Sequence, residues 1–481
     1  MNREKSTKNR FFTRFRTIGI AGLAAMLATG AGTLSGCIGK SELKTGRAVD
    51  GDNYIIAESG FKSAFVLAVD TYASNDAEAD AKMFAELLKT EYSADIDVKK
   101  SEMIYDNAKY ILSFGSSDVR ESLALQLELR DNEYAIKAQE REDGTVVISL
   151  AFKGGLARRK ALDLLLTEFT DAEAKQIAVP KGTDIKGSVS PDDLIITTDV
   201  SLRDPCILNV DGTYYVYGTG WVYYKNTSGN LQGPWEGPFQ CVTEKPAESD
   251  SQYWAPEVHA YNGAYYMFTT YHKASNDHRG CVIMRSETPE GPFEMWSDGH
   301  VTPDDWDCID GTLYVDPEGQ PWMVFVHEWT CRPDGVGLMS VAKLSPDLKE
   351  LISEPVDIFR ADGASWGTGG TITDGPWLYT TRSGELLMIW SNFDDAGYSV
   401  GIVRSSNGKI DGNWSHLDYQ LFTKKVSMNY DGGHGMIFRD NDGQLYLSIH
   451  SPNSKDGSRK TLAIMVPIKE VGNMLLWDFG E

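Results

Sequence analysis

The chain has 481 residues, a formal net charge of −23, and 41% hydrophobic and 24% charged residues. That composition is globular, and the length exceeds one ordinary domain. The excess of acids excludes nucleic acid as a main partner, since phosphate contacts need Lys and Arg. Six scattered cysteines without a CxxC pair exclude a zinc-ligand pattern and a disulfide-stapled mini-domain.

Residues 1–16 carry Arg3, Lys5, Lys8, Arg10, Arg14 and Arg16 against one acid, Glu4, and an apolar run from Ile18 to Leu34 follows. Basic then apolar is the order of a secretory signal. Its ending, Leu34-Ser35-Gly36-Cys37, resembles the lipobox of bacterial lipoproteins. The resemblance implies lipidation at Cys37, a membrane tether and an extracytoplasmic location. Residues 1–36 are therefore the expected signal peptide and 37–54 the expected tether.

All twelve Trp lie at or after Trp221 and all eight His at or after His259, which divides the chain in two. The first part, 55–178, reads as alternating strands and helices. Ser63–Val69 is an apolar run of strand length, and Asp76–Tyr92 places Met83, Phe84, Leu87 and Leu88 on one helical face. Tyr110–Phe114 is a second strand and Asp118–Leu129 a second helix. Glu133–Ala138 and Thr145–Phe152 form a hairpin about Asp143-Gly144, and Leu156–Phe169 is a closing helix. This α/β sandwich is similar in pattern to the accessory domain preceding the catalytic domain of some hexosaminidases and α-glucuronidases. It carries no catalytic constellation, so 195–481 is expected to act without it. Residues 179–194, with Pro and Gly, read as a linker.

The second part, 195–481, repeats a Gly turn followed by an aromatic or aliphatic strand, with the turns at Gly212, Gly263, Gly319, Gly384 and Gly443. Asp-Gly and Asn-Gly between apolar strands signal hairpins. Five copies at a spacing of about 55 residues predict a five-bladed β-propeller. The fold class is thus mostly β, a propeller preceded by a small α/β sandwich.

The innermost strand of a propeller blade lines the central axis. A few residues before each turn stands one ionisable residue: Asp204, Glu257, Asp310, Asp374 and His434. Four carboxylates and a histidine converging on one pocket cannot all ionise freely. Burial and like charge push their pKa values apart, giving one group fit to donate a proton and another fit to accept one. Glycoside hydrolysis needs that pairing. Trp254, Trp329 and Trp366, near these acids in sequence, would offer apolar platforms to sugar faces.

Arg203-Asp204-Pro205, Trp254-Ala255-Pro256-Glu257-Val258-His259, Ile309-Asp310-Gly311, Asp374-Gly375-Pro376-Trp377-Leu378-Tyr379 and Gly433-His434-Gly435, in that order, resemble glycoside hydrolase family 43. The resemblance covers 195–481. It implies inverting hydrolysis, mainly of α-L-arabinofuranosides, arabinan or β-xylosides, with no cofactor in the chemistry. It makes Asp204 the general base, Asp310 the auxiliary aspartate, and His434 the axial histidine beside a structural calcium or other cation. The chain departs from the family at the acid, where Glu-Gly-Pro-His-Leu-Tyr is usual. Asp374 is one methylene shorter, and Glu328 in His327-Glu328-Trp329 reaches toward the same pocket, so either is the candidate acid, the other binding substrate together with Glu257. The expected partner is an oligo- or polysaccharide such as arabinan or arabinoxylan. Alternatives are a β-xylosidase, a lipid-tethered sugar-binding propeller without catalysis, and a retaining fructan hydrolase, whose Asn-Asp-Pro-Asn motif this chain lacks.

Overall fold

The computed structural model describes residues 43–104, 108–115, 117–454 and 459–480. The expected signal peptide and Cys37 lie outside the described residues.

Four four-stranded antiparallel sheets and one five-stranded sheet form the ring. The innermost strands are Cys206–Val210, Ser249–Tyr261, Cys308–Val315, Asp374–Thr380 and Gly433–Arg439, for blades one to five. Each repeated Gly turn joins the innermost strand to the second. At Asp211-Gly212 and Asn262-Gly263 both turn residues have positive φ, the conformation a tight hairpin turn requires. Blade five is completed from the other end of the ring: Ile196–Thr197 pairs with Met465 and Ile464 of the strand Leu462–Val471. That pairing removes a free edge and closes the circle.

The α/β part has a six-stranded mixed sheet. Its parallel strands include Lys62–Val69, Tyr110–Phe114 and Val146–Phe152, and its helices are Asn75–Glu91, Arg120–Glu128 and Gly155–Thr167. The predicted elements match these within a few residues, but two boundaries differ. Asp184–Ser188, expected in the linker, is the edge strand paired with Glu133–Lys137, and Val179 is fully buried. The Gly and Pro of this segment hide a short edge strand. Likewise Val49–Asp50 and Asn53–Glu58 pair as strands within the expected tether and beyond it.

One hydrophobic core runs through both parts. Phe65, Leu67, Phe84, Leu87 and Leu162 share a cluster with Leu387, Ile389, Leu421, Leu447 and Trp477 of blades four and five. Gly155 opens its helix where an added Cβ would lie 2.5 Å from the Lys425 carbonyl, so the helix approaches blade four backbone to backbone. Residues 43–481 form one compact unit. The composition shift separates two folds, not two independent bodies.

Candidate active site

The five axial residues come together at one end of the ring. In blades two to five the pairing of innermost and second strand slips near that end: between Trp254 and Glu257, Ile309 and Thr312, Asp374 and Trp377, and Gly433 and Met436. Left-handed residues sit in or beside these slips, Ala255, Asp310, Gly375 and His434, and Asp204 takes the same conformation just before its strand. A bulge re-aims the side chain it carries. Strained φ values cluster where the surroundings over-determine them, which is typical of functional sites. The repeated geometry turns one ionisable group per blade toward the axis.

His434 is the hub. Its Nδ1 lies 3.4 Å from Asp204 Oδ1 and 3.5 Å from Asp310 Oδ2. Burial opposes its charge, but Asp310, Asp204, Asp374 and Glu257 outweigh that and push its pKa up to about 9. The ring is an imidazolium at neutral pH. Asp204 is buried too, which favours its neutral form, yet His434 above all holds it well below the usual carboxylate range. The Thr219 hydroxyl donates to Asp204 Oδ2. His450 Nδ1 lies 3.3 Å from Asp204 Oδ1 and accepts the Asp204 backbone N–H at 3.2 Å.

Asp310 and Asp374 move the other way. Burial, against the pull of His434 and with the push of Asp204, raises Asp310. Burial and then Asp310 raise Asp374. Gly375 N–H donates to Asp310 Oδ2 at 3.1 Å, tying the two aspartates together, and Tyr398 OH donates to Asp374 Oδ2 at 2.8 Å. Within one cluster, then, one carboxylate is pushed toward its ionised form and two others toward their protonated forms. Glu257 lies deeper, its Oε2 3.5 Å from His259 Nε2, and the His259 ring stacks on Trp377 at 5.2 Å.

Glu328 follows the second strand of blade three, and its N–H is bonded to the Asp307 carbonyl. Its carboxylate is buried and ion-paired with Arg279 Nε at 2.8 Å. Burial raises it to about 7, against Arg279 and with Asp307 and Asp374. Arg279 also reaches Asp307 Oδ2 at 3.2 Å and lies 5.9 Å from the Trp254 ring centre. Trp254 and Trp329 are half-buried beside this group. Trp366 is different. It is 6% exposed, packs on Trp390 at 5.1 Å, and fills the space over Gly401. It belongs to the core of blade four, away from the axial group.

Sequence reasoning missed Tyr398, His450, Thr219 and Arg279. They stand outside the repeated innermost strands, so no periodic signal marks them. A search for residues at the ends of second and third strands, where blade loops open on the same face, would have found Tyr398 and His450.

Among the described residues no group of three or more His, Cys, Asp or Glu side chains is arranged to hold a metal ion. His434 Nε2 is buried without a protein partner. The five described cysteines are all free.

Residues 196–470 match the model of glycosyl hydrolases family 43. An endo-arabinase from Bacteroides thetaiotaomicron superimposes with a TM-score of 0.50 at 32% identity, over 56% of this chain and 95% of that one. A thermostable family-43 glycoside hydrolase shares the fold, with a TM-score of 0.52 at 21% identity over 59% and 96%. Among curated proteins, a probable arabinan endo-1,5-α-L-arabinosidase B of Aspergillus fumigatus is 26% identical over 149 residues, 28% of this chain and 40% of its own. An extracellular exo-α-(1→5)-L-arabinofuranosidase of Cellvibrio japonicus is 23% identical over 167 residues, 31% and 45%. The chain spans less than half the length of these curated relatives.

Proposed function

Since the chain belongs to glycosyl hydrolases family 43, we propose that it is an inverting hydrolase of arabinose-containing polysaccharides, acting on α-L-arabinofuranosidic bonds of arabinan or arabinoxylan. The observation that carries this reading is the convergence of Asp204, Asp310 and Asp374 on His434, in which Asp204 is pushed toward its ionised form and Asp374 toward its protonated form. Asp204, ionised, takes a proton from a water as that water attacks the anomeric carbon. Asp374, protonated, gives its proton to the glycosidic oxygen as the carbon–oxygen bond breaks. General acid and base catalysis each contribute about 10²–10⁴-fold. Burial, and then like-charge repulsion from Asp310, favour the proton on Asp374, and Tyr398 fixes one oxygen of that carboxyl and leaves the other for substrate.

Asp374 is the better acid of the two candidates. Glu328 is buried and ion-paired with Arg279 at 2.8 Å, whereas Asp374 is half-buried and one of its oxygens accepts from the neutral Tyr398 hydroxyl. Glu328 is instead the residue that holds Arg279 over Trp254 at the substrate wall. The names of the Bacteroides, Aspergillus and Cellvibrio relatives support arabinan as the substrate class. The N-terminal segment through Cys37 supports an extracytoplasmic, lipid-tethered enzyme.

The test is product release from arabinan, arabinoxylan and aryl pentosides by the full chain and by Asp374→Ala and Glu328→Ala. An activated leaving group departs with little help from an acid. Asp374→Ala should therefore lose activity on polysaccharide and spare dinitrophenyl glycosides, while Glu328→Ala weakens all substrates alike. The reverse pattern moves the acid to Glu328. No release from any pentoside would leave a sugar-binding propeller.

A further inference from the structure

The α/β part touches blade four through two helices, Asn75–Glu91 by Lys82 and Glu86 and Gly155–Thr167 by Arg159, and what lies behind the second contact leads to the acid. Arg159, on the helix Gly155–Thr167, is buried. Its guanidinium donates to the Gln420 carbonyl at 2.7 Å and the Leu421 carbonyl at 3.2 Å, lies 4.3 Å from the Tyr419 ring centre, and is anchored at 3.3 Å to Asp80 of the helix Asn75–Glu91. Residues 419–421 belong to the outermost strand of blade four, Trp414–Phe422.

From there side chains lead inward. Gln420 Nε2 and Thr423 Oγ1 donate to Asp394 Oδ2 at 3.1 and 2.7 Å. The other oxygen of Asp394 accepts the N–H groups of Ala396 and Gly397 at 2.8 and 2.9 Å. Asp394 is itself buried. It thus fixes the turn between the second and third strands of blade four, and the residue after that turn is Tyr398. The Tyr398 carbonyl accepts Gly432 N–H at 3.0 Å, and its ring passes Gly433 so closely that a Cβ there would come within 2.7 Å. Its hydroxyl ends on Asp374.

We infer that the α/β part is a working portion of the site: Arg159 and Asp394 are positioning residues that set Tyr398, and through it the carboxyl of Asp374. This rests on the reading of Asp374 as the acid. The Arg159 clamp falls on the strand whose Gln420, with Thr423 just beyond it, holds Asp394 and so this turn. The turn is also not held by backbone pairing alone, so its geometry depends on Asp394 and on the strand that Arg159 grips. A small misplacement of a reacting group is costly in rate.

The experiment uses the full chain. kcat/KM is measured against pH for polysaccharide and for phenyl and dinitrophenyl glycosides, in Arg159→Lys, Asp394→Asn, Tyr398→Phe, the double variant Arg159→Lys/Tyr398→Phe, and Asp374→Ala. The expected loss in the first three is about tenfold on the poor leaving groups, with little on dinitrophenyl glycosides. The Tyr398 hydrogen bond lowers the pKa of Asp374. Weakening it should move the basic limb of the profile up, most in Tyr398→Phe and in the same direction in the other two. The double variant should lose no more than Tyr398→Phe alone, as expected for residues acting through one partner. Should Arg159→Lys not fold, Asp394→Asn and Gln420→Ala carry the same test. Losses uniform across leaving groups, an unmoved basic limb, or losses that multiply in the double variant overturn the inference. If Asp374→Ala itself shows no leaving-group dependence, the acid assignment fails first and the inference falls with it.

Discussion

Two of the buried charge groups among the described residues are built on opposite principles. In the α/β part, Asp80 pairs with Arg158 Nε at 2.6 Å and Arg159 Nε at 3.3 Å, and Asp76 pairs with Arg158 at 2.7 Å. Two acids meet two bases. On the propeller axis four carboxylates surround one imidazolium, with the second histidine, His450, pushed toward its neutral form by burial. Balanced charge settles into ion pairs that fix the packing of two helices. Unbalanced charge cannot settle, so protonation states are driven apart, and that is the condition for proton transfer. Burial alone does not distinguish the axial candidate site; the excess of one sign does.

The comparison can be broken in four places. Deleting the α/β part altogether, leaving 195–481, should abolish a soluble fold, because the shared core would expose Leu387, Ile389, Leu421 and Trp477 to water. Gel filtration and circular dichroism read this; a monomeric, cooperatively melting fragment would show that the core is divisible after all. Asp204→Asn should cut hydrolysis by about 10²–10⁴-fold with the fold retained, and near wild-type turnover would remove the base from Asp204. Asp80→Ala should do the converse. Leaving Arg158 and Arg159 without their shared partner costs about 3 kcal/mol of stability, read by denaturant titration, while turnover by the folded fraction falls far less than in Asp204→Asn.

The smallest effect is on pH. His434 has a folded pKa of about 9, above its ordinary value near 6.5. A raised pKa means that the folded state holds the proton more tightly. That stabilisation is complete below pH of about 6.5 and is lost as pH rises toward 9. Stability measured across that window should fall in the wild type and fall less in His434→Gln. For activity the signs follow from Asp204, lowered, and Asp374, raised. The acidic limb lies below the usual carboxylate range and the basic limb above it.

Much of this is legible in the sequence, and the reasons are physical. The five Gly turns are read because a tight hairpin needs positive φ, and the axial acids are read because each stands at a near-constant offset from such a turn. The α/β helices are read because Met83, Phe84, Leu87 and Leu88 repeat at helical spacing, and all four are buried. What is not legible depends on contacts between elements far apart in sequence. Trp366 looks like a sugar platform because it lies just before Asp374, but the absence of a side chain at Gly401 gives its ring a place in the core. The strand Asp184–Ser188 has no apolar run to announce it, only a partner at Glu133–Lys137. Arg159 and Tyr398 sit 239 positions apart, and no local pattern joins them.

Proton NMR of the first sugar released from an α-L-arabinofuranoside puts the whole arrangement to its most direct trial. With Asp204 activating a water and Asp374 protonating the leaving oxygen, the anomeric centre is displaced once, and the β anomer must appear first and mutarotate afterwards. If the α anomer appears first, a covalent intermediate has formed, one of the axial carboxylates is a nucleophile, and the assignment of Asp204 as base and Asp374 as acid is contradicted.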